Sequence, residues 1–128
     1  MTGSAVTSHP RVLFVDDEPG LLAAMVRNLR KWPHRILTAL CGPEALDLLR
    51  RSEPFAAIVS DLRMPGMDGV AVLGQACEIA PDTVRILFTG TPGINHAVAA
   101  IDKGSIFRFI TKPCPAALMA LTLNAAIE

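Results

Sequence analysis

The chain has few cysteines, no excess of charge of either sign, and no long apolar run. Cys41, Cys77 and Cys114 are odd in number and stand at no CxxC spacing, which argues against both a disulfide framework and a zinc site. Lys plus Arg number 12 and Asp plus Glu number 12, and no basic stripe is interleaved with aromatics. Direct contact of this segment with nucleic acid is therefore not expected, although a neighbouring domain could supply it. No apolar stretch approaches the roughly 20 residues needed to span a bilayer, and the N-terminus lacks the apolar core of a signal peptide, so the expected location is the cytoplasm. Neither an internal repeat nor a linker divides the chain.

What is present fits one domain. The 128 residues are 51% apolar, enough to bury a core without staples. Residues 1–10 are small and polar without periodicity and read as a flexible leader, with the domain over 11–128. Val12-Leu13-Phe14-Val15 is a short apolar run that stops at Asp16-Asp17-Glu18, and Pro19 is a good first residue for a helix. Leu22, Met25, Val26 and Leu29 recur at helical spacing, with Arg27, Arg30 and Lys31 loading the final turns before Trp32-Pro33. Ile36 to Ala39 is a second strand, and Gly42-Pro43 opens a helix with Ala45, Leu48 and Leu49 inward. The continuous run Phe55 to Val59 predicts a central parallel strand covered on both faces. Val70 to Ala80 follows as a helix, in which Cys77 reads as a small core residue beside Leu73, Ala76 and Ala80, and Asp68 reads as the N-cap. Val84 to Phe88 is a fourth strand, Ile94 to Lys103 a helix, Ile106 to Ile110 a fifth strand, and a last helix starts near Pro115. Five strand-then-helix units in alternation predict a doubly wound α/β fold, a five-stranded parallel sheet with helices on both faces.

The polar residues that end these strands fall on one edge. Asp16 and Asp17 follow the first strand, Asp61 the third, Thr89 the fourth and Lys112 the fifth. In such a sheet the crevice outside the carboxyl ends of the strands is where ligands bind. Two bare carboxylates 4 Å apart repel by about 4 kcal/mol at an effective dielectric near 20. A hard divalent cation offsets that cost, and Mg²⁺ in particular takes one or two carboxylates, several waters and a phosphate oxygen. Lys112 adds a second positive charge, and Thr89 a hydroxyl donor. A carboxylate so placed can act as a nucleophile towards a phosphoryl group, and phosphoryl transfer asks the protein mainly for positioning and charge neutralisation. The plainer alternative is that Asp61 only caps a turn.

Four motifs in combination, Val15-Asp16-Asp17-Glu18, Ser60-Asp61 with Met64-Pro65-Gly66-Met67-Asp68-Gly69, Thr89-Gly90 and Thr111-Lys112-Pro113, resemble the receiver domains of two-component response regulators. The resemblance runs from Val12 onward and implies the flavodoxin-like strand order 2-1-3-4-5. It implies that Asp61 is the phosphoacceptor, that Asp16 and Asp17 hold Mg²⁺ with Asp61 and the Arg63 carbonyl, and that Lys112 pairs with the phosphoryl group. It further implies a switch through Thr89 and the aromatic Phe109, and a cis Lys112-Pro113 peptide. The switch would re-shape the surface made by the Ile94–Lys103 helix, the fifth strand and the last helix. Phe109 as a plain core aromatic is the competing expectation. The implied partners are a sensor histidine kinase and an output domain or effector, with phosphorelay signalling as the role. Catalysis beyond the domain's own phosphorylation and dephosphorylation is not expected.

Other functions fit less well. A Mg²⁺-dependent phosphatase of the haloacid dehalogenase type places a second acid two residues after its nucleophile, and that position is Arg63 here. A flavodoxin-like module wants Ser, Thr and Gly after the first strand, whereas Asp16-Asp17-Glu18 would repel a flavin phosphate. A receiver-like binding module that takes no phosphate is the third alternative. From Pro113 to Ile127 no side chain is charged, and Leu118, Met119, Leu121, Leu123 and Ile127 populate several helix faces. Such a helix is expected to pack against a second copy or an output domain. Glu128 is no helix stop, so a longer natural protein is expected. His9, His34 and His96 are expected to face solvent, Cys114 to be exposed, and Arg108 to lie on the outward face of its strand.

Overall fold

The computed structural model describes residues 10–90, 106, 108–112 and 114–127. Within them the chain order is β1 (Arg11–Val15), α1 (Pro19–Asn28), β2 (Arg35–Ala39), α2 (Gly42–Arg51), β3 (Ala57–Ser60), α3 (Gly69–Ile79), β4 (Val84–Thr89), β5 (Arg108–Thr111) and α4 (Ala116–Ile127). All four strand pairings are parallel, as the alternation of elements predicts, and the order across the sheet is β2-β1-β3-β4-β5, as the resemblance implies. The expected helix over Ile94 to Lys103 and the Lys112-Pro113 peptide lie outside the described residues.

The pleat divides the core in two. Leu13, Val15, Ile58 and Leu87 point to one face, where they meet Ala45, Leu46 and Leu49 of α2 and Val72, Leu73 and Ala76 of α3. Val12, Phe14, Ala57, Val59, Ile86 and Phe88 point to the other and meet Leu22 and Leu29 at α1 and Met119, Leu123 and Ala126 of α4. The central strands are buried on both faces, which is why their sequence is a continuous apolar run rather than an alternation.

Several local expectations shift. The helix α1 ends at Asn28, with Leu29 as its cap, so Arg27 alone of the three basic residues lies in its last turn. Val26 is 39% exposed and stands off the buried stripe, because α1 inserts only Leu22 and Leu29 fully. In α2 the fully buried leucines are Leu46 and Leu49, while Leu48 is half-buried. Cys77, Ala80 and Cys114 are half-buried, so Cys77 lies at the edge of the core and Cys114 is less open than expected. His34 does not face open solvent: its ring stands edge-on to Trp32 at a centroid distance of 4.5 Å. The Trp32 indole N–H in turn donates to Asn124 Oδ1 at 3.0 Å, tying the end of α1 to α4. Arg108 is exposed as expected. In α4, Leu118 and Leu121 are 52% and 66% exposed, an outward apolar face opposite Met119 and Leu123. Among the described residues no helix is long and apolar enough to cross a membrane.

Candidate functional site

Register places the site. Val15 of β1 lies opposite Ser60 of β3, so the next residues along, Asp16 and Asp61, leave the sheet side by side. Their backbones continue the ladder: the Asp61 N–H donates to the Val15 carbonyl at 2.9 Å, and the Asp16 N–H to the Ala39 carbonyl at 3.1 Å. On the far side Thr89 lies opposite Thr111, and the Lys112 N–H donates to the Thr89 carbonyl at 3.1 Å. Two strand pairings therefore fix two acids and one ammonium stem before any side chain is considered.

The loop after Asp61 is held just as closely. Gly66 takes a positive φ of 82°, which an L side chain rarely adopts, and so turns the chain back. The Gly69 N–H donates to the Leu62 carbonyl at 2.8 Å, and a Cβ at Gly69 would collide with the Asp61 carbonyl. Only glycine lets α3 begin this close to the strand end. Asp68 caps that helix, accepting from the Ala71 N–H at 2.9 Å, as its position before the apolar run predicts.

The side chains converge. Asp16, Asp17 and Asp61 each bring a carboxylate oxygen within 4.8 Å of the others, with Asp16 buried, Asp61 half-buried and Asp17 exposed. The Lys112 Nζ lies 3.1 Å from Asp16 Oδ2 and 3.2 Å from Asp61 Oδ1. Asp16 also accepts from the Glu18 N–H at 3.0 Å through its other oxygen. Burial pushes the Asp61 carboxyl above its ordinary value, and Asp16 adds to this, outweighing Lys112 and the Leu62 N–H, which pull it down. Burial pulls the Lys112 ammonium down, but its bonds and charge attraction to Asp16 and Asp61 more than reverse this, leaving its pKa raised. Three carboxylates facing one ammonium remain under-neutralised, and their hard oxygen donors match what a hard divalent cation requires.

Of the remaining expected residues, Thr89 is buried at the end of β4 with its backbone tied to Lys112. Arg63 is exposed in the loop two residues beyond Asp61. Phe109 is half-buried on β5 and packs against the α2–α3 side of the core. One neighbour escapes the reading of motifs: the Lys112 Nζ lies over the Phe88 ring, 5.2 Å from its centroid. Strand parity could have found it, since Phe88 precedes Thr89 and shares the α1–α4 face with Ile86. Beside this ring a cavity of about 270 Å³ opens between Met25, Cys114 and the sheet.

Fold and site together define a doubly wound α/β protein with an acidic, lysine-covered site at the carboxyl edge of its sheet. Residues 12–124 match the response regulator receiver domain family, and the chain belongs to that family. Among curated proteins it is 35% identical over 117 residues to the transcriptional regulatory protein GlrR of Escherichia coli (strain K12), covering 91% of this chain and 26% of that protein. It is 37% identical over 124 residues to the C4-dicarboxylate transport transcriptional regulatory protein DctD of Rhizobium meliloti (strain 1021), covering 96% of this chain and 26% of that protein. The chain thus spans about a quarter of the length of these relatives. Among solved structures, the signal receiver domain of an HD domain-containing protein from Pseudomonas fluorescens Pf-5 superposes with a TM-score of 0.87 at 31% identity, covering 98% of this chain and 91% of that one. An adenylate cyclase structure from Rhodopirellula baltica gives a TM-score of 0.87 at 38% identity, covering 94% of this chain and 88% of that one.

Proposed function

We propose that this chain takes a phosphoryl group onto Asp61 from a phosphohistidine of a sensor histidine kinase and thereby controls an output domain or effector. Residues 11–128 form the receiver and residues 1–10 its leader. The observation that carries the reading is the position of Lys112, bonded to both Asp16 and Asp61 beside the carboxylate of Asp17. In the transfer an Asp61 carboxylate oxygen forms the new bond to phosphorus while the phosphorus–nitrogen bond of the donor breaks, and the leaving imidazole takes up a proton. Asp16, Asp17, Asp61 and the Arg63 carbonyl would hold Mg²⁺. When bound, that ion would supply positive charge to offset the carboxylates and the incoming phosphoryl group. Lys112 shares its ammonium between Asp16 and Asp61 before transfer and turns it to the phosphoryl oxygens afterwards.

The phosphoryl group adds about two negative charges near neutral pH. Thr89 moves its hydroxyl towards them, and Phe109 turns inward against the core it already touches, changing the face around β5 and α4. Leu118 and Leu121 on α4 form the apolar part of that face and support its contact with a second copy of the chain or with an output segment. The two curated relatives described above are named as transcriptional regulators, which supports an output domain elsewhere in the natural protein.

Incubation with acetyl phosphate and Mg²⁺ tests the reading by intact mass. The wild-type chain gains the mass of one phosphoryl group and Asp61→Asn gains none. Equal gain by both would place the chemistry on another residue.

A further inference from the structure

Among the described residues, two charged groups and one uncharged ring approach the Lys112 ammonium. Asp16 and Asp61 hold it at 3.1 and 3.2 Å, and the Phe88 ring lies beneath it with a centroid distance of 5.2 Å. A cation within about 6 Å of a ring centroid is attracted by the negative face of the ring, and the attraction grows as water is removed. Water is partly removed here, because Phe88 is buried and Lys112 is half-buried. Phe88 is also fixed: it sits within β4 and packs into the core between α1 and α4. The next residue, Thr89, accepts from the Lys112 N–H, so ring and lysine stem are registered to each other through one backbone bond.

The two kinds of anchor differ in what happens to them during the proposed reaction. The carboxylates change partner when a cation or a phosphoryl group arrives, and their hold on Nζ then weakens. The ring carries no charge, has no oxygen to offer a metal or a phosphoryl group, and is packed into the core. We infer that Phe88 is a positioning residue for Lys112, keeping the ammonium over the acidic site while the carboxylates exchange the partners that otherwise hold it. This inference rests on the reading of Asp61 as phosphoacceptor and adds to it the residue that sets where the lysine waits.

The adjacent cavity makes the idea testable without dismantling the core. Its volume of about 270 Å³, bounded by Phe88, Met25, Cys114 and the stem of Lys112, gives space for a tryptophan. Leucine and methionine keep most of the phenylalanine volume and remove only the π face. Four proteins are compared, namely wild type, Phe88→Leu, Phe88→Trp and Phe88→Met, each also in a Lys112→Met background.

The first readout needs no metal: the Lys112 Hε protons, followed in ¹³C-lysine-labelled protein, carry a ring-current shift in wild type and Phe88→Trp and lose it in Phe88→Leu and Phe88→Met. The second is the rate of phosphorylation by acetyl phosphate at saturating Mg²⁺. It falls about 3- to 10-fold in Phe88→Leu and Phe88→Met, is retained in Phe88→Trp, and shows no Phe88 dependence once Lys112 is methionine. A Phe88→Leu protein with wild-type shift and rate overturns the inference, as does an equal rate loss in both lysine backgrounds, which would mark Phe88 as ordinary core. Failure of the wild-type chain to take phosphate at all is a separate outcome and overturns the phosphoacceptor reading together with what rests on it.

Discussion

Lys112 is the side chain on which the acidic site balances. Removing it leaves Asp16 and Asp61 facing each other and Asp17 with no cation between them, so Lys112→Met is expected to lower stability at neutral pH. Breaking a buried pair costs about 3–5 kcal/mol, and partial exposure of this one reduces the expected loss to about 1–3 kcal/mol. The sign of the pH dependence follows from the two shifts. Folding holds the Asp61 carboxyl above its ordinary value, so the stability tied to it is fully present below the ordinary aspartate range and is lost as pH rises through the raised value. Folding also raises Lys112, whose contribution persists up to the ordinary lysine range and disappears as pH climbs through its folded value. The deficit of Lys112→Met should therefore shrink on acidification, and Mg²⁺ should stabilise this variant more than wild type. Urea melts at neutral and acidic pH, with and without Mg²⁺, check both; a variant as stable as wild type, or one indifferent to Mg²⁺, contradicts the charge balance described. At this scale the motifs were legible because the acids and the lysine end apolar runs. That the lysine bonds Asp16 as well as Asp61, and lies over Phe88, was not, since neither partner is near it in the chain.

Among the secondary-structure elements, α4 departs most from a plain surface helix. It buries Met119, Leu123 and Ala126 against the sheet and turns Leu118 and Leu121 outward, with no charged residue between Ala116 and Ile127. On the proposed reading this face meets a second copy when Asp61 is phosphorylated. Light scattering over a concentration series should then show association of the phosphorylated chain and its loss in Leu121→Glu. Because Leu121 is so exposed, that substitution should leave monomer stability within about 0.5 kcal/mol. A strict monomer in the phosphorylated state sinks the self-association version. The sequence showed this helix to be apolar all round but could not divide its residues between sheet and solvent, because an all-apolar helix lacks the polar stripe that orients one. Val26 differs in cause: its spacing matches the buried stripe of α1, but the short helix meets the core through Leu22, Met25 and Leu29 and leaves Val26 at the stripe's open margin. Strand ends were displaced by a residue or two, since the polar Arg35, Ser60, Thr89 and Thr111 join the hydrogen-bonded ladder while the apolar Phe55 and Ile106 lie outside it.

For the fold as a unit, alternation of strands and helices was enough to give the class, and continuous apolar runs were enough to mark the central strands. The order 2-1-3-4-5 came from the family resemblance, not from the alternation, and the structure puts β1 beside both β2 and β3, which brings the acids after the first and third strands together. Tertiary ties such as Trp32 to Asn124 carry no local pattern and were invisible. The central claim is that this architecture exists to make Asp61 a phosphoryl acceptor. Borohydride reduces an acyl phosphate to the alcohol, so treatment of the acetyl phosphate-reacted protein followed by peptide mass mapping reports the modified residue itself. The account predicts homoserine at position 61 and nowhere else; homoserine at Asp16 or Asp17, or no reducible product in protein that has gained phosphate, would contradict it.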